Sequence, residues 1–308
     1  MKDIPMINNH SLLVSVVVIT YNSEDYILEC LESVKAQTYA GIELIISDDC
    51  SQDNTLKICK EWVDENKIRF VNIEIIEVKK NTGTTENINR ACRLANGVWI
   101  KPIAGDDLLL PKCIEYNLKF SYGKKIIFSQ VEMFNEDGIT GLGINERVKK
   151  YFQLSAKKQF EKLYISNFIK APSVFIETQY LKSMNYFNEE FKLVEDYPFW
   201  LEATYNNVKL HYYDETTVRY RQHKQAISTI HNVKFNVKMF NFETLFYINF
   251  LKNHSVGNCL KINRFFILLI QKLTIKYGNK DNVYQIFSKI KYLNLCNYVE
   301  KIKSVFYR

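Results

Sequence analysis

Residues 12–20 read LLVSVVVIT, a nearly continuous apolar run that is rich in β-branched side chains. Such a run is typical of a strand that is buried on both faces of a parallel sheet. The next stretch, YNSEDYILECLESVKAQ at 21–37, spaces its apolar residues at helical intervals, and Ser23 is the expected N-cap. A buried strand followed directly by an amphipathic helix indicates the first unit of an α/β fold.

The same alternation continues as far as residue 107. We predict strands at 43–47, 71–78 and 98–103 and helices at 51–64 and 85–95, with Asn96-Gly97 as the C-cap of the last helix. Regular alternation of this kind predicts a parallel, doubly wound sheet that is flanked by helices.

After Pro111 the alternation becomes irregular. The patterns favour strands at 126–134, 171–176 and 209–213, helices at 155–167 and 194–206, and a polar loop at 136–150. Glycine and proline are scarce, with 10 and 5 residues, which argues against long flexible linkers. We therefore expect one large body over residues 1–230 and a separate tail over 231–308.

The tail differs from the body in charge. Residues 231–308 hold 13 Lys and Arg against 3 Asp and Glu, a balance of +10, whereas residues 1–230 hold 28 against 31, a balance of −3. Basic residues are mixed with large apolar ones at 261–277, which suits a helix lying on an anionic membrane surface. The alternative is a helical cap packed on the body. No nucleic-acid-binding motif accompanies the charge, so we expect no nucleic-acid partner.

The seven cysteines show no CxxC pair and no metal-ligand spacing. We interpret them as reduced residues of a cytoplasmic protein. The polar first ten residues do not resemble a signal peptide, and no apolar run approaches the roughly 20 residues of a membrane span. The sequence therefore predicts a cytoplasmic location.

Polar clusters follow three of the predicted strands: Thr20-Tyr21-Asn22, Asp48-Asp49 and Asp106-Asp107. Ligands of parallel sheets bind beyond the carboxyl ends of the strands. Neighbouring carboxylates at such an edge are costly unless cations or hydrogen-bond donors offset them, and paired carboxylates suit Mg²⁺ or Mn²⁺. For both Asp pairs, capping of the following helix is the ordinary alternative.

Two further features invite a chemical interpretation. Glu195-Asp196 precede a predicted helix, where they either complement the helix dipole at the surface or supply a general base. His223 suits a metal ligand, a phosphate contact or an ordinary surface histidine.

The order of these motifs resembles that of the family 2 glycosyltransferases, over about residues 13–228. The runs that carry the resemblance are VSVVVITYNSEDYILECLESVKAQTY, ELIISDDCSQDNT, NTGTTENINRACRLANGVWIKPIAGDDLLLP, APSVFIETQYL, FNEEFKLVEDYPFWL and VRYRQHKQAIS. The resemblance implies the GT-A fold: an α/β, Rossmann-like and mostly parallel central sheet flanked by helices, here with a C-terminal helical appendage. It divides the body into a nucleotide-binding half at about 12–110 and an acceptor half at about 111–230.

The resemblance also implies roles for individual residues. Thr20, Tyr21 and Asn22 match residues that frame the donor nucleotide, and Asp49 matches the carboxylate that contacts its base. Asp106 matches a contact to the ribose and, with Asp107, a ligand of Mn²⁺ or Mg²⁺ on the donor diphosphate, near which His223 also falls. Asp196, beside Glu195, matches the catalytic base. Ala104 departs from the family pattern, which has a third aspartate there, and Glu86 stands where many relatives have arginine, so that Arg90 or Arg93 is left to take its place.

The implied activity is transfer of a sugar, with inversion, from a nucleotide-sugar donor to a glycan or lipid-linked acceptor. The resemblance implies UDP as the nucleotide and bacterial capsule or lipopolysaccharide synthesis as the setting. A lipid-linked acceptor suits a peripheral position at the inner face of the cell membrane, with surface contact through residues 240–308. Two alternatives are a sugar nucleotidyltransferase and a non-catalytic nucleotide- or sugar-binding module. The first would need a glycine-rich phosphate loop after the first strand, and residues 20–23 contain no glycine.

Overall fold

The computed structural model describes residues 12–192, 195–223 and 233–289. The chain divides into two compact units. The first consists of Met1–Gln159 and Phe168–Gln222, and the second of Phe160–Asn167 and His223–Arg308. Within the described ranges, no helix has both the length and the apolar character needed to cross a membrane.

The first unit is built on a mixed sheet. Its strands are β1 (Val14–Thr20), β2 (Ile42–Asp48), β3 (Asn72–Glu77), β4 (Trp99–Ala104), β5 (Leu108–Leu109), β6 (Ile126–Asn135), β7 (Gly138–Leu142), β8 (Phe175–Glu177) and β9 (His211–Arg221). They lie in the order β3-β2-β1-β4-β8-β6-β9-β5, with β7 beside β6. The pairs among β3, β2, β1 and β4 are parallel, as is β6 with β9, whereas β8, β5 and β7 pair in antiparallel fashion.

Helices follow most of the strands. They are α1 (Ile27–Lys35), α2 (Thr55–Asn66), α3 (Thr84–Leu94), α4 (Cys113–Ser121), α5 (Glu146–Gln153), α6 (Ala156–Ile165), α7 (Thr178–Ser183) and α8 (Asp196–Tyr205). The tail contributes α9 (Val237–Asn253), α10 (Asn258–Lys276) and α11 (Asp281–Ser288). The predicted α/β class and the helical character of the tail are thus confirmed over the described residues.

The apolar run in β1 is explained by burial on both of its faces. Val14, Val16 and Val18 pack in one core cluster with α1 and α4, while Val17 on the opposite face is equally buried. Each valine contributes roughly 1.5–3 kcal/mol when it is fully buried, so this strand is a major source of stability. The absence of polar alternation was therefore a sound indication of a central strand.

Two local predictions were wrong at helix ends. Ser23 does not cap α1, which begins at Ile27; instead its carbonyl accepts from the amides of Tyr26 and Ile27, each at 2.9 Å, in a preceding turn. Gly97 is not a C-cap either, because α3 ends at Leu94 and Ala95 is already extended. Gly97 is required by close packing: a Cβ there would lie 2.5 Å from the amide nitrogen of Ser15.

The predicted loop at 136–150 was also wrong. It contains β7 and the start of α5, and every residue of β7 is exposed, so no apolar pattern marked the strand. Residues 171–176 begin with a 3₁₀ turn, Ala171–Ser173, before β8. The last predicted strand, at 209–213, extends in β9 to Arg221 because β6 and β5 pair with its polar second half.

Candidate active site

The polar ends of β1, β2 and β4 meet at one edge of the sheet. β1 lies between the other two strands, and its register pairs Thr20 with Asp48 and Ile19 with Ala104. The amide of Asp49 donates to the carbonyl of Thr20 at 3.0 Å, which holds the β1 and β2 ends together. The predicted clusters are therefore neighbours, as expected for the ligand-binding edge of a parallel sheet.

The loop after β1 is fixed to the loop after β2. The amide of Asn22 donates to Ser51 Oγ at 2.9 Å, and the amide of Gln52 donates to Asn22 Oδ1 at 2.8 Å. Asn22 has a left-handed backbone with φ of 50°, which asparagine tolerates better than most residues. These bonds use the Asn22 side chain within the protein and leave the neighbouring Tyr21 ring 46% exposed.

Asp49 is buried, and its carboxylate is surrounded by donors. Thr82 donates to it from its amide at 2.9 Å and its hydroxyl at 2.7 Å, and the amide of Gly83 donates at 2.7 Å. Arg90 Nη2 adds an ion pair at 3.2 Å. A carboxylate offers about four acceptor positions, so protein donors fill Asp49 in this conformation. Its contact with a nucleotide base stays a prediction and requires one of these bonds to be exchanged.

The sequence analysis identified none of the hydrogen-bond donors to Asp49 except Arg90. Thr82 and Gly83 form the loop before α3, and Arg90 lies on α3 itself. On the same helix, Asn87 Nδ2 donates to the carbonyl of Thr20 at 3.3 Å. The sequence does contain an indication of these bonds, because α3 has polar residues at helix positions that otherwise face the core. Buried polar side chains of this kind nearly always make specific hydrogen bonds.

Asp106 and Asp107 are held by a strand pairing. The two residues of β5 pair with Val218 and Arg219 of β9, directly after the aspartates. The alternative that these aspartates cap a helix is wrong, since α4 begins only at Cys113. Asp107 Oδ1 accepts from the amide of Arg221 at 2.9 Å. Asp107 Oδ2 is buried and has no hydrogen-bond partner among the residues that the structure describes.

Arg221 connects this turn to α1. Its Nε donates to the carbonyl of Asp106 at 2.8 Å, and its guanidinium forms an ion pair with Glu29. The guanidinium lies 4.9 Å from the ring centroid of Tyr26 and 4.5 Å from that of Phe134. Guanidinium groups bind aromatic faces favourably in such positions. The sequence gives no reason to single out Arg221, and the structure shows that it fixes the Asp106-Asp107 turn directly.

The charge of Asp107 is poorly compensated. Burial raises the pKa of its carboxyl well above the ordinary value, and the adjacent Asp106 raises it further. The buried ammonium of Lys101 offsets part of this charge, but it is committed to the carbonyls of Pro102 and Pro172 at 2.9 and 2.5 Å, and burial lowers its pKa. A buried carboxylate oxygen without a donor suits a hard divalent cation.

The turn that carries Asp106 and Asp107 packs closely against the end of β1. A Cβ on Gly105 would lie 3.0 Å from Thr20 Oγ1, so glycine allows the turn to approach β1 closely. Thr20 Oγ1 is itself buried without a partner in the described ranges. No group of three or more His, Cys, Asp or Glu side chains suited to a metal occurs among the described residues. The unpartnered Oδ2 of Asp107 is thus the feature of this edge that suits a divalent cation.

Glu195 and Asp196 stand at the start of α8. The body of this helix is buried at Tyr197, Trp200 and Leu201, whereas Glu195 and Asp196 at its start are half-buried. Trp200 Nε1 donates to Asp196 Oδ2 at 3.3 Å. Burial, and then the neighbouring Asp196 carboxylate, raise the pKa of Glu195 to about 7. A carboxyl with such a pKa exchanges its proton near neutral pH, as general acids and bases do.

Helix α3 also anchors the segment that leads to this acidic pair. Asn89 donates to the carbonyl of Phe187 at 2.7 Å and accepts from its amide at 2.9 Å. Thr85 Oγ1 donates to the carbonyl of Phe191 at 2.5 Å. Because Asn87 and Arg90 bind the ends of β1 and β2, one helix positions both the nucleotide edge and the approach to α8.

Glu86 stands where many relatives have an arginine, and the structure shows where it and the two nearby arginines lie. Glu86 is exposed on α3, whereas Arg90 lies against Asp49. Arg93 pairs with Glu189 at 2.7 Å and is not at this edge. His223 belongs to the second unit and immediately precedes residues outside the described ranges, so its metal role stays a prediction.

The sequence matches the family model described as glycosyl transferase family 2 over residues 15–175, more than half of the chain. The chain belongs to glycosyl transferase family 2. This glycosyltransferase carries Thr20, Asp49, Asp106 and Asp107 within the matched range, and Asp196 lies beyond it. The predicted family and enzyme class are confirmed.

Individual comparisons agree with this assignment. An uncharacterized glycosyltransferase of Methanocaldococcus jannaschii is 29% identical over 214 residues, which cover 68% of this chain and 70% of that protein. The crystal structure of S. aureus TarS 1-349 in complex with UDP-GlcNAc is similar in fold, with a TM-score of 0.62, 21% identity and coverage of 87% of this chain and 74% of that one. The mannosyltransferase PcManGT from Pyrobaculum calidifontis, in complex with GDP-Man and Mn²⁺, gives a TM-score of 0.58, 12% identity and coverage of 96% and 80%. The structural likeness confirms the GT-A fold.

Proposed function

We propose that this glycosyltransferase moves a sugar from a UDP-sugar to a hydroxyl group of a glycan or lipid-linked acceptor, with inversion at the anomeric carbon. The observation that carries the proposal is the buried, unpartnered Oδ2 of Asp107 beside Asp106, at the edge where three parallel strands end. Such an oxygen suits a divalent cation, and a nucleotide diphosphate is the substrate group that a metal at this edge would bind. The UDP-GlcNAc and the Mn²⁺ in the two similar structures support the same chemistry.

On the donor side, Asp106 and Asp107 would hold the metal, Mn²⁺ or Mg²⁺. Such a cation, when bound, supplies positive charge to the departing nucleoside diphosphate. The exposed ring of Tyr21 would lie against the base, with Thr20 and Asn22 framing it, while Asp49 and Arg90 would supply polar contacts. The hydrogen bonds that fix Asn22 and Asp49 support a preformed nucleotide edge.

On the acceptor side, Asp196 would remove the proton from the attacking hydroxyl. That oxygen then forms the new bond to the anomeric carbon as the bond to the diphosphate breaks on the opposite face, which inverts the configuration. Glu195 would tune the charge beside the base. The anchoring of residues 187–191 on α3 supports a fixed position for this segment relative to the nucleotide edge.

We further propose a domain organisation and a setting. Residues 1–230 would form the catalytic domain, with a nucleotide-binding half at about 12–110 and an acceptor half at about 111–230, and residues 231–308 a separate basic helical region. The setting would be surface-polysaccharide synthesis, of capsule or lipopolysaccharide, at the inner face of a bacterial membrane that residues 240–308 contact. Family membership favours glycosyl transfer over a sugar nucleotidyltransferase or a non-catalytic binding module.

The test is release of nucleoside diphosphate from a panel of UDP-, GDP- and dTDP-sugars, with and without Mn²⁺. We expect release from at least one UDP-sugar that disappears when Mn²⁺ is removed with a chelator and returns when Mn²⁺ or Mg²⁺ is added. Absent release across the panel, or release that does not depend on the metal, would contradict the proposal.

A further inference from the structure

Helix α9 has two chemically different sides. Phe246, Tyr247 and Phe250 are buried within the second unit. The opposite stripe runs through positions 237, 241, 245, 248 and 252, which recur every three or four residues and are all exposed. Three of these five positions are apolar, Val237, Leu245 and Ile248, each between 46% and 49% exposed, and the stripe ends at Lys252.

Helix α10 repeats this arrangement. Its buried side carries Arg264, Ile270 and Thr274. Its exposed side carries lysines at 261, 272 and 276 together with Phe265, at intervals that place them on one face, and Ile262 lies at the margin. The Phe265 side chain is 60% exposed. Together with Ile262, at 41% exposure, this ring adds exposed apolar surface beside the lysines.

Most of the positive charge on residues 233–289 has no acidic partner within the described part of the chain. Residues 233–289 contain two acidic side chains, Glu243 and Asp281, and each already forms an ion pair, with Arg264 at 3.0 Å and with Lys234 at 2.6 Å. The other lysines of this range form no ion pair within the described part of the chain; they are Lys238, Lys252, Lys261, Lys272, Lys276, Lys280 and Lys289. The exposed apolar stripes are therefore accompanied by free positive charge.

We infer that the exposed faces of α9 and α10 bind anionic lipid bilayers. Phe265, Ile262 and the α9 stripe would enter the interface between headgroups and acyl chains, while the lysines contact anionic headgroups. The positive charge favours an anionic bilayer over a second copy of the chain, because a second copy would bring a like-charged surface into contact. Nucleic acid would satisfy the lysines and leave the apolar side chains in water. The inference develops the membrane contact in the proposed function, but it does not depend on the transferase reaction.

The experiment is cosedimentation of the full-length protein with two sets of vesicles, one of phosphatidylcholine alone and one of phosphatidylcholine mixed with phosphatidylglycerol. We expect binding to the mixed vesicles, weaker binding as salt is raised, and little binding to the neutral vesicles. Each lysine near such a surface contributes about a fivefold gain in affinity. The double variant Lys261→Glu/Lys272→Glu should therefore lose at least about 25-fold, and Phe265→Ser about fivefold to tenfold.

Matched controls lie in the first unit at Lys67 and Ile68, which are both exposed, the isoleucine at 96%. The variants Lys67→Glu and Ile68→Ser change the same side-chain types and should bind vesicles as the wild type does. Absence of binding to the mixed vesicles, or equal loss in the control and α10 variants, would overturn the inference. So would self-association in the absence of vesicles that the α10 variants abolish. Vesicle binding by a protein without transferase activity would support this inference and contradict only the proposed function.

Discussion

At the scale of single residues, the two oxygens of Asp107 show what a sequence can and cannot reveal. The position of Asp106-Asp107 after a buried strand could be predicted from the local pattern. The donor to Asp107 Oδ1 is the amide of Arg221, which lies 114 residues later in the chain. No local pattern indicates such a bond, so only the structure distinguishes the occupied oxygen from the buried, unpartnered one.

The proposed base gives a residue-level prediction. Asp196→Asn keeps an oxygen that can accept from Trp200 Nε1, so we expect the α8 start to remain folded. It removes the group that takes the acceptor proton, and loss of a general base typically slows a reaction about 10²- to 10⁴-fold. We expect sugar transfer to fall by that range while donor affinity changes little, as measured by kcat for transfer and by equilibrium binding of the donor.

The control is Glu190→Gln, which makes the same carboxylate-to-amide change at an exposed position six residues earlier. It should transfer sugar at the wild-type rate. Wild-type turnover in a folded Asp196→Asn protein would show that the base has been assigned to the wrong residue.

Glu195 gives a prediction about pH and stability. Its pKa rises from an ordinary value of 4.5 to about 7, mainly through burial. The folded protein thus holds this proton more tightly than the unfolded chain, so the group favours folding below pH 4.5 and loses this contribution as pH rises through 7. We expect Glu195→Gln, which stays neutral, to exceed wild-type stability by about 2–3 kcal/mol at pH 8 and to match it near pH 4.

Urea unfolding across this pH range measures the effect. The Glu190→Gln protein should follow the wild-type pH profile, since that side chain is exposed. If Glu195→Gln and wild type keep a constant difference from pH 4 to pH 8, the carboxyl of Glu195 does not carry the raised pKa.

At the scale of elements, α3 connects the two sides of the site. Its helical pattern and its position could be predicted to within one residue at each end. Its function could not be predicted, because its polar side chains bind partners that are distant along the chain. These side chains are Thr85, Asn87, Asn89 and Arg90, and their partners lie at the ends of β1 and β2 and in residues 187–191. The pattern does reveal that polar residues occupy buried positions, which is a reason to look for specific hydrogen bonds.

Gly97 gives an element-level prediction about the contact between the start of β4 and β1. Besides the Ser15 amide nitrogen, an added Cβ would meet Ser15 Oγ at 2.6 Å and the Val14 carbonyl carbon at 2.8 Å. Most of these atoms are backbone of a central strand and cannot move aside cheaply. We expect Gly97→Ala to destabilise the first unit by about 1–3 kcal/mol, as overpacking of a core does.

Tryptophan fluorescence during urea unfolding reports this change, because Trp62, Trp99 and Trp200 all lie in the first unit. Gly123→Asn is the control: nothing lies within 4 Å of an added Cβ there, and asparagine accepts its φ of +68°. Equal midpoints for Gly97→Ala and wild type would contradict the close packing of this turn against β1.

At the scale of the whole molecule, the sequence indicates the regular half of the fold well and the irregular half only in part, since β6, α6 and α8 could be predicted but the pairings of the shorter strands could not. Strands β1 to β4 are joined by helices and pair in parallel, which period and turn signals indicate well. Strands β5, β8 and β9 are placed by pairings with strands far away along the chain, and β5 and β8 contain only two and three residues. Elements this short give no periodicity.

The charge division between body and tail was also visible before the structure, since it depends on composition alone. What composition could not give was the side of each tail helix that remains exposed. The structure separates the packed faces of α9 and α10 from the stripes that carry lysine and apolar side chains, and the lipid-binding inference rests on this separation.

The central claim is that Asp106 and Asp107 hold a divalent cation for transfer from a nucleotide-sugar. Its most direct test is Mn²⁺-dependent release of nucleoside diphosphate by wild type and by Asp107→Asn. Asparagine keeps the shape and the acceptor for the Arg221 amide, and a neutral group suits a site where burial already raises the carboxyl pKa. The exposed Asp25, changed to asparagine, is the control.

We predict that Asp25→Asn behaves as wild type, while Asp107→Asn folds normally, loses at least about 100-fold in release and no longer responds to Mn²⁺ at wild-type concentrations. A folded Asp107→Asn protein with wild-type release and an unchanged Mn²⁺ dependence would contradict the account.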